Sequence, residues 1–438
     1  MKLLFVSQFL PPEDYSGIPI ITWNQLKTLS NLNNEVHCLT TTINKNKFFK
    51  SFTIDNIKIF YLPHAPLSFF NLKIHIKNYL LKLKSFIFIY KLLKKNQYNL
   101  IHINDYFSTV SDLTLKISKK FFKNIKIVRE YWFYEEICFR QNLIISEKDK
   151  ELCPGLINPH NCINCYFKTY SSSNKIKQTL KKILIPFLIK IFFKKFNNRL
   201  KKIDAIIFPD KDLKILYNSI NNINLKKKNS IVIPHGIELQ RSSKIIIYNN
   251  NTINFLFLGA LYFRKGIDVI IDCLKMLINN KIEGYKFYIG GIVCEENYFT
   301  ELNKLIKNNS EKIIYIGPYK PNDIKLIINK YNIHCGIVVS YVETYCRVLR
   351  ELIINNVPVI CTSFIGSNII KDGYNGFKIN IGFANELYEC ILKILNNPNI
   401  INQLSLGAYN TFILQPKDEG EMLFNFYKSI TCNKIKNT

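Results

Sequence analysis

The chain opens on an apolar, β-prone run, KLLFVSQFL, followed by the turn-rich PPEDYSGIP, a helix-patterned ITWNQLKTLSNL and a second strand-like run, EVHCLTTT. A continuous apolar run, a helical period and another β-prone run in that order predict a βαβ unit. Strand patterns recur at LIHIN (100–104), KIVRE (126–130) and AIIFP (205–209), with helical stretches between them, and SIVIPHGIEL (230–239) closes this half. Such alternation predicts a parallel sheet covered on both faces. The polar RSSKIIIYNNNT, with its Asn249–Asn251 cluster, reads as a linker. A fresh alternation then begins: INFLFLGAL, KFYIGGIV, KIIYIGPY, CGIVVSY and VPVICTS as buried strands, with DVIIDCLKMLI, NDIKLIINKY and RVLRELIIN as helices.

The predicted fold class is therefore α/β, with two doubly wound, Rossmann-like domains facing a cleft at the carboxyl ends of their strands. The expected boundaries are 1–240, 252–415 and a C-terminal helical segment 416–438 that packs back on the first domain. A length of 438 residues suits two cores, and the low Gly and Pro content excludes a disordered or fibrous chain.

Charge changes the picture. Lys and Arg number 60 against 32 Asp and Glu, a formal +28, which should draw the protein to a polyanion, either nucleic acid or an anionic membrane surface. The aromatic residues fall in core-like patterns and not interleaved along a basic groove, so nucleic acid is not the expected partner. Two Lys-rich apolar stretches, 67–95 and 176–203, are candidates for a membrane-lying face. In the second, Ile176, Leu180, Leu184, Phe187 and Ile191 share one helical face, with a kink expected at Pro186. A core-packing helix with solvated lysines fits the same pattern, and both readings stay open. The best apolar run, Ile183–Phe193, is too short to cross a membrane and is broken by Lys190. Met1–Val6 leads straight into a strand pattern without a cleavage site, so a cytoplasmic protein is expected, at the inner face of the membrane if it binds one.

Most of the twelve cysteines are scattered singly, as reduced thiols are. Cys138, Cys153, Cys162 and Cys165 differ, since they cluster in an insertion (138–165) of the first domain and end in Cys-x-x-Cys. Four thiolates can close a tetrahedral structural Zn²⁺ site, with free thiols or a redox pair as alternatives.

The segment SYVETYCRVLRELIINNVPVI carries Glu343, a short turn, then a helix bearing Glu351. This order resembles the Glu, seven residues, Glu motif of the retaining glycosyltransferases of family 4, enzymes of the GT-B fold. The resemblance implies that Glu343 contacts the donor sugar, that Thr344, Tyr345 and Cys346 present backbone N–H groups to a diphosphate, and that Glu351 holds the ribose. Cys346 stands where the family often has Gly. FLFLGALYFRKGIDVIIDCL resembles the family's diphosphate-neutralising loop, with Lys265 and Gly266 matching, Ala260 where Arg is usual, and Arg264 as its replacement. Gly366, Ser367 and KDGYNGFKIN resemble the family's glycine-rich turn and the strand after it, with Asn368 where Glu is common. Ser16 and Gly17 match the end of its first loop, and IPHGIE its Pro-Asn-Gly-Ile-Asp strand end, with His235 for Asn.

VREYWFYEEIC is similar to a family segment whose strand ends in a His beside the reacting centre, and here the matching residue is Arg129. Arg is not a base at neutral pH. The resemblance implies that the leaving phosphate takes the acceptor proton, so the change does not abolish the mechanism. Glu130, Glu135 and Glu136 are nearby carboxylates with structural or solvated roles. Asp210-Lys211-Asp212 matches a bare Asp-x-Asp but stands at a helix start, where capping is the expected role.

The resemblance thus implies a retaining, hexosyl-type glycosyltransferase without a catalytic metal, using a nucleotide-sugar donor and a cell-envelope glycan or lipid-linked acceptor. A catalytically silent glycan- or partner-binding subunit of the same fold, and a non-hydrolysing sugar-nucleotide epimerase, are the alternatives.

Overall fold

The computed structural model describes residues 1–438 except 15–16, 65–71, 106–107, 135–136, 141, 156, 170–174, 221–227, 249–250, 321–322 and 433–438, and without the side chains of 72–79 and 175–180. Ser16, Glu135, Glu136, Asn249, Asn250 and the side chains of Ile176 and Leu180 lie outside the described residues.

The chain divides into two compact units, 1–141 with 155–238 and 414–438, and 142–154 with 239–413. In the first unit, β1 (Lys2–Val6), α1 (Gly17–Asn31), β2 (Glu35–Thr42), β3 (Ser51–Ile54), β4 (Ile57–Pro63), α2 (Leu72–Asn96), β5 (Leu100–Ile103), α3 (Thr109–Phe121) and β6 (Lys126–Glu130) follow one another. The short strands β7 (Ile144–Ser146) and β8 (Glu151–Leu152) interrupt them as a hairpin of the second unit. The first unit resumes with α4 (Pro159–Thr169), α5 (Lys175–Leu200), β9 (Ala205–Phe208), α6 (Lys211–Asn218) and β10 (Asn229–Val232). Its eight strands lie in the order β10-β9-β6-β5-β1-β2-β4-β3, parallel except for the antiparallel β3–β4 pair.

Successive residues of β1 serve opposite faces, as the period of two requires. Leu3 and Phe5 join Leu26 and Leu29 of α1, while Leu4 and Val6 join Leu92 of α2 and Leu115 of α3. The edge strand β3 is exposed at all four residues, so no burial period in the sequence announces it. Asp210 caps α6, its carboxylate accepting from the Asp212 N–H at 2.8 Å.

The second unit runs β11 (Ile253–Leu258), α7 (Ile267–Asn279), β12 (Tyr285–Gly290), α8 (Glu296–Asn308), β13 (Ile313–Gly317), α9 (Ile324–Lys330), β14 (Cys335–Val338), α10 (Arg347–Ile354), β15 (Val359–Thr362), β16 (Gly376–Ile379), α11 (Ala384–Asn396) and α12 (Ile400–Tyr409). Its six strands are all parallel, in the order β13-β12-β11-β14-β15-β16. The last helix, α13 (Pro416–Cys432), belongs to the first unit, where Leu423, Phe426, Tyr427 and Ile430 complete the α1 face of the core.

One expectation is corrected. Residues 142–154 lie inside the insertion assigned by sequence to the first domain, yet they belong to the second unit. Lys150 of this segment reaches Asp268 at 3.0 Å and Asp272 at 3.5 Å on α7.

α5 also differs from a simple amphipathic helix. It continues through Pro186 and buries Ile185, Ile189, Phe193 and Phe196, while Ile183, Leu184, Phe187 and Leu188 stay exposed. Apolar side chains thus occupy two faces. Among the described residues, no helix is long and apolar enough to cross a membrane.

Candidate functional site

Lys265 and Glu343 meet in the second unit. The short 3-10 turn Phe263–Lys265 follows β11 and ends at Gly266, whose φ is +78°. A Cβ at Gly266 would lie 2.0 Å from the Val339 carbonyl oxygen, so only glycine lets this turn close on the end of β14. The Tyr341 N–H donates to the Arg264 carbonyl at 2.9 Å, and Phe263 stacks on the Tyr341 ring at 4.3 Å. With the two loops fixed together, the Lys265 ammonium donates to Glu343 Oε1. Burial pulls the Lys265 pKa down, but Glu343 outweighs it and the net shift is upward, so the lysine stays charged. The Arg264 guanidinium donates to the Tyr262 hydroxyl at 2.6 Å.

Cys346 is the N-cap of α10 and has a left-handed backbone, φ +49° and ψ +83°, without a side-chain cap hydrogen bond. An L-residue with a Cβ adopts this conformation at a cost, which explains why glycine is frequent there in the resembled family. Burial first, and Glu343 second, push the Cys346 thiol up to about 12, so it is neutral and acts by its volume. Gly366, φ +86°, packs so closely on the turn that a Cβ would lie 2.4 Å from the Thr344 carbonyl oxygen. Arg350 covers the Tyr345 ring at 3.6 Å. Within α10, Glu351 is buried and accepts from Arg347 Nε at 2.6 Å. Burial raises its pKa and Arg347 opposes the rise.

The first-unit residues divide. Gly17 begins α1, and a Cβ there would meet nothing within 4 Å. Arg129 is wholly buried at the end of β6, 3.6 Å from Asp105 Oδ1 and 5.4 Å from the Tyr131 ring. In this structure it is the cationic member of an interior polar network.

Beside it lies a cluster that sequence reading missed. Glu130, His235 and Glu419 place their ligand atoms within 4.8 Å of one another, the one such set of three among the described residues. His235 Nδ1 is 3.3 Å from Glu130 Oε1 and 3.2 Å from Glu419 Oε1. Gln25 Nε2 donates to Glu419 at 2.7 Å and to Glu130 at 3.2 Å, and the Gly236 N–H donates to Glu419 at 2.7 Å. The carboxylates thus accept several hydrogen bonds, and the cluster is a buried polar joint. His102 joins it, with Nε2 3.2 Å from Glu130 and Nδ1 2.6 Å from the Tyr427 hydroxyl. Burial lifts the Glu130 carboxyl to about 7, with His235 opposing and Glu419 adding. Burial also drops His102 to about 3. No local motif links residues so far apart as Gln25, Glu130, His235 and Glu419.

Of the four clustered cysteines, Cys138, Cys162 and Cys165 belong to the first unit and Cys153 to the second. Cys162 and Cys165 are one turn apart on α4. The three first-unit thiols are not a set within ion-sharing distance of one another among the described residues.

Two outcomes follow from this geometry. Cys346→Gly is expected to fold normally, while the β-branched Cys346→Val should lose about 2 kcal/mol in thermal unfolding because its side chain resists a left-handed backbone. Glu130 titrates near 4.5 when unfolded and near 7 when folded, so folding favours its protonated form. Its contribution is complete below pH 4.5 and is lost as pH rises through 7. Glu130→Gln should therefore gain on the wild type across that window by up to about 3 kcal/mol, read by urea denaturation on either side of it. A constant difference would mean that Glu130 is ionised throughout.

Residues 240–411 match the family described as glycosyl transferases group 1. A protein of Methanocaldococcus jannaschii, described as an uncharacterized glycosyltransferase, is 32% identical over 201 residues, 45% of this chain and 51% of that one. The chain thus spans about half the length of that relative. Among solved structures, a sucrose-phosphate synthase from Thermosynechococcus elongatus has a TM-score of 0.67 at 14% identity, covering 99% of this chain and 100% of the other. HepE of Anabaena, solved in complex with UDP, has a TM-score of 0.65 at 13% identity, covering 98% and 100%. The chain has the fold of two Rossmann-like domains, GT-B, and its residues 240–411 match the glycosyl transferases group 1 family.

Proposed function

We propose that the protein transfers a sugar from a nucleotide-sugar donor, with retention at the anomeric carbon, to a cell-envelope glycan or lipid-linked acceptor. The observation that carries this reading is the contact between Lys265 and Glu343 beside the uncapped N-terminus of α10. A diphosphate leaving group needs fixed positive charge, which Lys265 provides with Arg264, and helix N–H donors, which the Thr344–Cys346 turn and the start of α10 offer. Glu343 orients the sugar. Glu351 exchanges Arg347 for the ribose hydroxyls, to which a carboxylate accepts well. The match of 240–411 to glycosyl transferases group 1 and the UDP complex of the Anabaena protein of like fold support a nucleotide-linked donor.

In the reaction, the acceptor hydroxyl bonds to the anomeric carbon on the face that the diphosphate leaves. The carbon–oxygen bond to the diphosphate breaks, and the acceptor proton passes to the departing phosphate oxygen. Gly17 leaves room for ligand in the first unit, and Arg129 supports the acceptor side through Asp105. No divalent ion is required, because the cations are side chains. The protein works in the cytoplasm, at the inner face of an anionic membrane.

Lys265→Ala and Glu351→Ala should each lower turnover of a nucleotide-sugar panel by about 100- to 1,000-fold, with little change in thermal midpoint. Near-normal turnover in both variants would sink the site. Epimerised donor without acceptor would favour the epimerase, and absence of any nucleotide-sugar binding in calorimetry would favour a silent binding subunit.

A structural zinc bound through the cysteines of the 138–165 insertion is a further part of the proposal, supported by the Cys162–Cys165 spacing on α4. Metal analysis of the purified chain should find about one zinc, lost in Cys162→Ser/Cys165→Ser. A zinc-free, fully folded chain excludes it.

A further inference from the structure

The first unit holds a cavity of about 700 Å³ that the donor chemistry does not use. It opens beside Thr41, one residue before the end of β2, and His64, which follows β4, so it lies at the carboxyl ends of the strands, where open α/β sheets take ligands. Its walls carry Lys82 from α2, Lys116 from α3, and Lys195 and Arg199 from α5, against a single carboxylate, Asp112. That carboxylate is already shared, 2.6 Å from Lys116 and 3.3 Å from Arg199. Lys82 and Lys195 have no carboxylate within ion-pair distance among the described residues, and both are exposed. The N-terminal turn of the 13-residue α3 also faces the cavity through Ser108 and Thr109. Excess cation charge and a helix N-terminus in one cavity select an anion, and lysines with helix N–H groups suit phosphate oxygens.

The helix that supplies Lys195 and Arg199 says what is attached to that anion. Leu184 and Leu188 are 54% and 38% exposed. Spaced 7, 11 and 15 residues from the two cations, roughly whole numbers of helical turns at 3.6 residues each, they continue the same stripe of α5. Ile183 and Phe187 flank them, also exposed. The stripe from Leu184 to Arg199 spans about 22 Å at 1.5 Å per residue. A phosphate held by Lys195 and Arg199 would thus have an apolar track leading away from it, with Lys181 on the same stripe about one turn before Leu184.

We infer that this cavity binds the phosphate head of a lipid-linked acceptor, a phosphate ester of a long apolar alcohol, whose chain lies along the exposed stripe of α5. The inference rests on the transferase reading above and names its acceptor class. The donor residues Lys265, Glu343 and Glu351 all belong to the second unit, which leaves an anion site in the first unit to the other reactant.

Flotation of the full-length chain with phosphatidylcholine vesicles tests it, the vesicles containing polyprenyl phosphate, phosphatidylglycerol at equal charge, or uncharged polyprenol. Polyprenyl phosphate should retain the protein at least about tenfold better than either alternative, and Lys82→Ala and Lys195→Ala should each weaken retention about tenfold, as loss of one charge-assisted contact does. Leu184→Ser/Leu188→Ser should weaken retention without altering the thermal shift given by soluble pyrophosphate. Equal retention by phosphatidylglycerol reduces the site to general surface charge and overturns the inference. So does displacement by soluble pyrophosphate at concentrations equal to the lipid's, because the apolar track would then contribute nothing. Calorimetry of nucleotide-sugar binding on the same preparation keeps the two readings apart. Donor binding with no lipid-phosphate preference rejects the acceptor class alone, whereas absent donor binding rejects the transferase.

Discussion

The approach of the Gly266 backbone to the Val339 carbonyl is the constraint on which the geometry around Lys265 and Glu343 depends. A Cβ there would lie 2.0 Å from the carbonyl oxygen, so any side chain would push the Phe263–Lys265 turn off the end of β14. With the turn in place, the Tyr341 N–H, the Phe263–Tyr341 stack and the Lys265–Glu343 contact follow from the same close approach. The lysine is then a fixed charge instead of a mobile surface group. Fixed charge is what stabilises a departing anion without reorganisation.

The first unit is organised around a different interaction. Glu419, in the first turn of α13, accepts from Gln25 of α1 and from the Gly236 N–H after β10, and its carboxylate faces His235. One carboxylate therefore ties the two ends of this unit's chain to its central sheet. Its environment is buried, which is why Glu130 beside it is lifted to about 7. Arg129 belongs to this interior, wholly buried and 3.6 Å from Asp105.

The surface of the same unit carries the basic excess. α5 is apolar on one face because it packs and apolar on a second face that stays exposed, while its lysines and Arg199 border both. A helix built only to cover a sheet has no use for the second face. The +28 charge of the whole chain is a bulk property, but the cavity between α2, α3 and α5 concentrates part of it at one place.

Sequence alone determined what depends on local periodicity and local chemistry. The alternation of buried strands and amphipathic helices gave two parallel α/β halves, because strands covered on both faces must be apolar throughout. Glu343, Gly266 and Glu351 could be singled out as candidates because backbone conformation and helix position tie them to short segments. Cys346 stood out against a glycine, and its φ of +49° supplies the reason. Only the tertiary structure decided what joins distant segments. It assigned 142–154 to the second unit, buried Arg129, and gathered Gln25, Glu130, His235 and Glu419 across nearly the whole chain length. It also separated the two apolar faces of α5, which share one composition in sequence and differ only in what packs against them. Those outcomes depend on which surfaces meet, and a hydrophobic pattern records that a residue can be buried, not what it is buried against.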